Sequence, residues 1–533
     1  MRRIYIVLIF VLLSSSLLNA QTFNEQMHKF GRVVNLATSL YVDTVNEETL
    51  VESAIIGMLK ELDPHSVYIS ADEVAKMNEP LEGSFEGVGI QFRITEDTLI
   101  ISSVISGGPS EKVGLQAGDR IIIVDKDTIT GVGLKNEEVV KLLRGKKGTI
   151  VNVRVKRPGV SNELDFAITR DKIPIFSVDA GYISKEGIGY VKLNKFSKTT
   201  MTELEEIFSN FQKQKVDKII LDLTGNTGGY LDQSIKLVAE FIGDRKLVVY
   251  TEGVNSPKND YRTNTKARFE NVRLAIIVDE GSASASEITS GAVQDWDRGI
   301  IIGRRTFGKG LVQRPFPLPD GSMIRLTVAR YYTPSGRLIQ KPYSDDIDDY
   351  NLDISNRFKH GEFTNIDSIN FPDSLKHETL VNKRTVYGGG GVMPDIFVPL
   401  DTLNYAEYHY AMLRKGLIFR FVNKYVDNHR DELKKLYPNI DKFETAFLVD
   451  EKVLKELDEF ANENEVVKDS FPNMADEHKL KMQIHIKALI AGEIWKTNEF
   501  YRIFNEINQN YIEARDILLN KKKYNELLQT KKK

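Results

Sequence analysis

The sequence predicts a multidomain α/β protein, and three observations carry that prediction. From Gly187 onward, short β-branched segments alternate with stretches of helical periodicity. Between Phe85 and Pro158 the chain reads as short strands with one helix, and from Leu403 to the end the apolar positions keep helical spacing throughout. A length of 533 residues gives room for three or four such domains. Composition is ordinary for a globular protein, with 41% hydrophobic and 28% charged residues and a net charge of −3. The basic excess that a nucleic-acid partner draws is missing, so none is expected.

The first twenty residues stand apart. Arg2 and Arg3 precede an apolar run from Ile4 to Leu13, and Ser14 to Asn19 leads to Ala20 before Gln21. That order is the pattern of a secretory signal peptide cleaved after Ala20. The run is short for a membrane span, which takes about 20 residues. The expectation is an exported protein of the periplasm or cell envelope, with no stable membrane insertion once the signal is removed. There are no cysteines, which excludes disulfides, thiolate metal sites, thiol nucleophiles and lipid attachment at cysteine.

Residues 21–80 read as two or three helices broken at Asp63-Pro64. Residues 81–159 hold the strands Gly89-Arg93, Leu99-Val104, Arg120-Val124 and Thr149-Lys156, with a helix at Asn136-Leu143. Residues 160–400 carry the alternating pattern: strands at Ile188-Leu193, Lys218-Leu223, Leu274-Val278, Gly299-Gly303 and Met323-Tyr331, and helices at Thr199-Gln214, Gly229-Phe241 and Ser284-Asp295. Within them, 344–384 is rich in Asp, Asn and Ser with little periodicity and reads as a surface insertion. Residues 401–533 are helical, as in Ala411-Val426 and Leu480-Phe500, and carry no chemical motif. A packing or oligomerisation role is left for them, so a homo-oligomer is among the expected partners.

The stretch Val278-Asp-Glu-Gly-Ser-Ala-Ser-Ala-Ser-Glu-Ile288 puts a turn of tiny residues between a strand and a helix. A serine hydroxyl there meets free backbone N–H groups at a helix N-terminus, which favours a developing oxyanion. The same residues also suit plain N-capping by Ser282, Ser284 or Ser286. A serine nucleophile needs a base. None of the eight histidines lies between residues 66 and 359. Thr306-Phe-Gly-Lys-Gly310 offers Lys309 instead, set between two glycines with Phe307, Leu311 and Val312 nearby. Desolvation in such a setting lowers a lysine pKa toward neutrality.

Together, Gly281-Ser-Ala-Ser-Ala-Ser-Glu-Ile288 and Thr306-Phe-Gly-Lys-Gly310 resemble the carboxyl-terminal processing peptidases, or tail-specific proteases. In that family the nucleophile is the serine 25 residues before the lysine, which selects Ser284 as nucleophile and Lys309 as base. The resemblance also implies that Gln313 orients the lysine and that Asp295 supports the site, about 16 Å from Ser284 along an ideal helix. Leu221-Asp-Leu-Thr-Gly-Asn-Thr-Gly-Gly229 is similar to a second family segment, with Thr224 where arginine is usual. It implies an oxyanion hole from the N–H of Ala285 and that of Gly228 or Gly229. Tyr331 to Gln340 and Gly391 to Asp395 look like family segments shaping the core.

Gly87-Val88-Gly89-Ile90 resembles the carboxylate-binding loop of PDZ domains, and Gly114-Leu-Gln-Ala-Gly-Asp-Arg120 a PDZ turn. The resemblance covers roughly residues 30 to 400. It implies a crotonase-like peptidase core with an inserted PDZ domain, a helical N-terminal segment and a helical C-terminal extension. It further implies serine endopeptidase activity on protein or peptide substrates with free C-termini, with neither metal nor cofactor. Two rivals stand beside this reading. One is a catalytically weak PDZ scaffold that binds peptides, and the other a crotonase-like acyl-CoA enzyme.

Overall fold

The computed structural model describes residues 23–95, 97–105, 107–343, 347–401, 406–472 and 474–529, and the signal-like segment 1–20 lies outside them. The chain divides into two compact units. The first comprises 1–74, 313–328 and 343–347, and the second 75–312, 329–342 and 348–533. Among the described residues no helix is long and apolar enough to cross a membrane.

In the first unit, residues 23–40 are helical and a second helix runs Glu47–Lys60. Asn46 starts the latter, its side chain accepting the Thr49 N–H at 3.1 Å, with Glu47 and Glu48 in the first turn where the helix dipole favours them. The break expected at Asp63-Pro64 is an Asp-built turn. The Asp63 carboxylate accepts the N–H groups of His65 (2.8 Å) and Ser66 (3.0 Å) and the Ser66 hydroxyl (2.6 Å). The short strand Val67–Ile69 follows and pairs antiparallel with Met323–Arg325.

The second unit is built on a six-stranded sheet. In spatial order its strands are Val178–Ile183, Gly189–Leu193, Lys218–Asp222, Arg273–Val278, Ile300–Gly303 and Ile396–Phe397. The first pair is antiparallel and the rest are parallel. The four strands from Gly189–Leu193 to Ile300–Gly303 are largely buried on both faces, which is why they read as nearly continuous apolar runs. Helices Thr200–Lys213, Leu231–Ile242 and Ala285–Asp295 pack on one face, through Leu204, Phe208, Phe211, Leu237, Phe241 and Ile288. The other face, with Tyr190, Ile220, Ile277 and Ile302, is covered by Tyr511, Ala514, Ile517 and Leu518 from the helix Gln509–Leu519.

The PDZ-like sheet is antiparallel, in the order Ile90–Thr95, Thr98–Val104, Arg120–Val124, Ile150–Lys156, Leu164–Thr169. The boundary expected at residue 159 falls inside it, because Leu164–Thr169 pairs along its whole length with Ile150–Val155. The chain then returns along Asp171–Pro174, paired with Ser84–Gly87. The segment 344–384, expected as a surface insertion, contains the helix Ile347–Lys359, and its Tyr350 and Arg357 are buried. The helices Glu407–Arg414 and Leu417–Leu436 replace one expected helix, since Gly416 between them takes φ 64°. These helices have their own core with Phe443, Leu457 and Ile486.

Candidate active site

Strand Arg273–Val278 ends in a turn, and helix Ala285–Asp295 begins seven residues later with Ser284 as its N-cap. The three serines of this turn have different surroundings. Ser282 is buried and donates its hydroxyl to Leu223 O at 2.8 Å; Ser286 is buried and donates to Asn226 O at 2.8 Å. Ser284 alone is part-exposed, and its backbone takes φ 55° and ψ −112°, a region that L-residues rarely occupy. A part-exposed serine at a helix N-cap lies at the positive end of the helix dipole.

The turn Leu223–Gly229 lies against this serine. A Cβ added to Gly228 would stand 2.7 Å from Ser284 Cβ and 2.9 Å from Ala285 N, so only glycine fits. At Gly229 a Cβ would meet Phe196 O at 2.1 Å. The Gly228 N–H is taken by Asn226 Oδ1 at 2.9 Å. By contrast, the N–H groups of Gly229 and Ala285 have no acceptor among the described residues. A cavity of about 400 Å³ opens beside this turn, lined by Pro80, Phe176, Asn194, Lys195, Gly225 and Thr227. It sits beyond the carboxyl ends of two parallel strands, where α/β sheets hold their ligands.

Lys309 is part-buried on the loop 304–310. Its backbone is tied to that of Ser284 by two groups that the sequence reading did not single out. The Glu287 carboxylate, fully buried, accepts the Ser284 N–H (2.8 Å) and the Lys309 N–H (2.8 Å). It also accepts the Gly308 N–H (2.7 Å) and the Thr306 hydroxyl (2.5 Å). Burial pushes the Glu287 carboxyl up from its ordinary range, and these four donors oppose the shift. The buried Tyr331 hydroxyl donates to Ser284 O at 3.2 Å and to Lys309 O. Gly310 N–H donates to Gln340 Oε1 at 2.8 Å. Glu287 could have been found from its place three residues after Ser284, the spacing of a capping box.

The remaining expected residues have these places. Asp295 is buried at the far end of the helix, 2.7 Å from Arg337 Nη2, and accepts the Ser335 N–H at 2.8 Å. Gln313 belongs to the first unit, where its amide donates to His65 O at 2.6 Å. In the loop Gly87-Val88-Gly89-Ile90, Gly89 takes φ 76°, and the N–H groups of Val88 and Gly89 have no acceptor among the described residues. The adjoining strand Ile90–Thr95 is the edge of its sheet, with a strand neighbour on one side. Among the described residues no group of three or more His, Asp or Glu could hold a metal ion.

Residues 187–348 match the peptidase family S41, 87–168 a PDZ domain, and 13–73 the N-terminal domain of the activating protease CtpB. Residues 408–496 match a family of unknown function. The carboxy-terminal-processing protease of Bartonella bacilliformis is 36% identical over 326 residues, 60% of this chain and 74% of that protein. The chain belongs to the carboxy-terminal processing protease family. Within this family, the carboxy-terminal processing protease CtpB of Bacillus subtilis is 34% identical over 322 residues, 60% of this chain and 66% of that protein. A probable CtpA-like serine protease of Staphylococcus epidermidis is 37% identical over 302 residues. The chain spans 60% of that relative's length. A solved photosystem II D1 C-terminal processing protease is 31% identical, covers 57% of this chain and 82% of its own, and superposes with a TM-score of 0.35. Arg357 and the rest of the helix Ile347–Lys359 beyond residue 348 lie outside the family S41 match.

Proposed function

We propose that this carboxy-terminal processing protease is an exported serine endopeptidase that selects proteins by their C-terminal tails. Ser284 attacks the scissile carbonyl, and Lys309 accepts the hydroxyl proton and passes it to the leaving amine. Water then hydrolyses the acyl-enzyme, with Lys309 again as base, and Gln313 orients Lys309. The oxyanion is held by the N–H of Ala285 and a glycine N–H of the 228–229 turn, with Gly229 favoured because its N–H is uncommitted. Asp295, 2.7 Å from Arg337, supports the helix from its far end.

One observation carries this reading: Ser284 is the strained, part-exposed serine of the three, and its backbone is joined to that of Lys309 through both Glu287 and Tyr331. Ser284→Ala is expected to abolish cleavage of an unstructured protein, while Ser282→Ala and Ser286→Ala keep measurable activity. Lys309→Arg, which cannot deprotonate, should be as inactive as Lys309→Ala. Full activity in Ser284→Ala or Lys309→Arg would overturn the assignment.

Tail selection rests on the uncommitted N–H groups of Val88 and Gly89 beside the edge strand of the sheet. A substrate ending in a free Ala, Val or Leu should be cleaved faster than the same substrate amidated or ending in Asp-Asp. Equal rates for all three would remove the role of the terminus.

A further inference from the structure

The loop that carries Lys309 is held through most of its backbone groups. Its N–H groups donate in turn to Val392 O (Thr306, 3.2 Å), Ser282 O (Phe307, 3.0 Å), the Glu287 carboxylate (Gly308 and Lys309) and Gln340 Oε1 (Gly310). Its carbonyls at Gly308 and Gly310 accept the N–H groups of Lys341 and Tyr331, both at 2.9 Å, and that of Lys309 accepts the Tyr331 hydroxyl. Of the remaining carbonyls, those of Arg305 and Thr306 both accept from a single side chain. The Arg357 guanidinium donates from Nη2 to Arg305 O at 2.8 Å and from Nη1 to Thr306 O at 3.1 Å.

Arg357 is 3% exposed and has further contacts beyond the loop. Its Nε donates to Glu362 Oε2 at 3.2 Å, the same oxygen that accepts Arg305 Nη2 at 2.6 Å, and Phe363 lies under its guanidinium at 5.6 Å. The same helix grips the loop a second time. Lys341 Nζ lies 4.2 Å from the Phe307 ring centroid and 4.0 Å from that of Tyr350, and pairs with Asp353 at 3.0 Å. Thus Phe307, two residues before Lys309, is held through a cation that the helix Ile347–Lys359 neutralises.

We infer that Arg357 is a positioning residue for the Ser284–Lys309 reaction, fixing the loop that presents the base through the carbonyls of Arg305 and Thr306. The inference rests on the peptidase reading above. Gly308, at φ 90°, and Gly310 leave the loop free to shift if its partners are lost. Glu287 accepts from Ser284 and Lys309 at once, so a shifted loop changes the distance between base and nucleophile. A displacement of about 1 Å at a reacting pair is worth about 100-fold in rate. Lysine at this position replaces a planar two-pronged donor with a point charge, and glutamine is uncharged and offers one nitrogen where arginine uses two.

The test compares wild type, Arg357→Lys and Arg357→Gln in the full-length mature chain. Three quantities are measured: kcat and KM on a protein substrate with a free apolar tail, the labelling rate of Ser284 by a fluorophosphonate, and amide exchange of residues 306–310. Arg357→Gln should lower kcat and labelling about 10- to 100-fold with KM within twofold, and Arg357→Lys should fall between it and wild type. Exchange at 306–310 should quicken in both while the strands 273–278 and 300–303 stay protected. Unchanged kcat, or unchanged exchange at 306–310, would overturn the inference. So would a loss that merely follows global unfolding, with 273–278 exchanging equally fast. Failure of the peptidase reading looks different: wild type neither cleaves nor labels at Ser284, while the exchange measurement still decides whether Arg357 holds the loop.

Discussion

Ser284 has a backbone conformation that glycine would adopt with less strain. At φ 55° and ψ −112° an L-residue is held against its preference by about 1–3 kcal/mol. Here the surroundings over-determine it: the Ser284 N–H goes to Glu287, and its carbonyl accepts from Tyr331 and from the N–H groups of Glu287 and Ile288. The strain is therefore measurable with two inactive variants. Ser284→Gly and Ser284→Ala both remove the hydroxyl, but only glycine removes the strain. Ser284→Gly is expected to unfold later in urea than Ser284→Ala, by about 1 kcal/mol once the greater freedom of glycine in the unfolded chain is subtracted. Equal stabilities would mean that the angle carries no strain. Lys309 stands out in the sequence as a candidate base because two glycines mark its loop and no histidine lies nearby. Glu287 was harder to read, since what it does depends on residues 306 to 309, about twenty positions downstream.

At the scale of elements, the parallel strands were legible because burial on both faces leaves continuous apolar runs, as in Arg273–Val278. The hairpin Leu247–Gly253 with Ser256–Arg262 was not, because its outer strand, Ser-Pro-Lys-Asn-Asp-Tyr-Arg, is an exposed edge without alternation. The helix Ile347–Lys359 was missed for a related reason. It is rich in Asp and Asn, and part of its buried face is the arginine Arg357. A third case concerns Thr224, where the family pattern leads one to expect arginine. A cation does arrive there, from the neighbouring strand: Lys192 Nζ pairs with Asp222 Oδ1 at 3.0 Å and donates to Thr224 O at 2.6 Å and Thr224 Oγ1 at 2.5 Å. Lys192 and Asp222 are in register across parallel strands, and both are almost fully buried. Lys192→Met leaves a buried carboxylate unpaired and should destabilise the core by about 3–5 kcal/mol. Trp296, packed against the core, reports this in urea unfolding. Adding Asp222→Asn should recover much of the loss, whereas strictly additive losses would show that the pair is not coupled.

Over the whole molecule, apolar burial falls into separate cores, and the C-terminal helices contribute to two of them. Gln509–Leu519 covers one face of the central sheet, and Tyr524 exchanges hydrogen bonds with the backbone of Leu274. The helices between Glu407 and Phe504 enclose a core of their own, and inside it lie two imidazoles, His409 and His485, with ring centroids 5.7 Å apart. Burial pushes His409 down to about 3, helped by the neighbouring His485, and pushes His485 down to about 4. In the unfolded chain both return to about 6.5. Below that pH the unfolded chain binds protons that the folded body refuses, so stability falls as pH falls from 6.5 and levels off only near the folded values. At pH 5 the loss is about 2 kcal/mol for each ring and about 4 kcal/mol for the pair. Trp495, in edge contact with Phe443 at 5.2 Å, reports on this body. In a Trp296→Phe background its urea midpoint should drop steeply between pH 7 and pH 5. Replacing both histidines with phenylalanine should flatten that dependence, because the two buried imidazoles that take up protons on unfolding are then gone. A midpoint that is level from pH 7 to 5 in the parent, or equally steep without the histidines, would place the acid sensitivity of this body elsewhere.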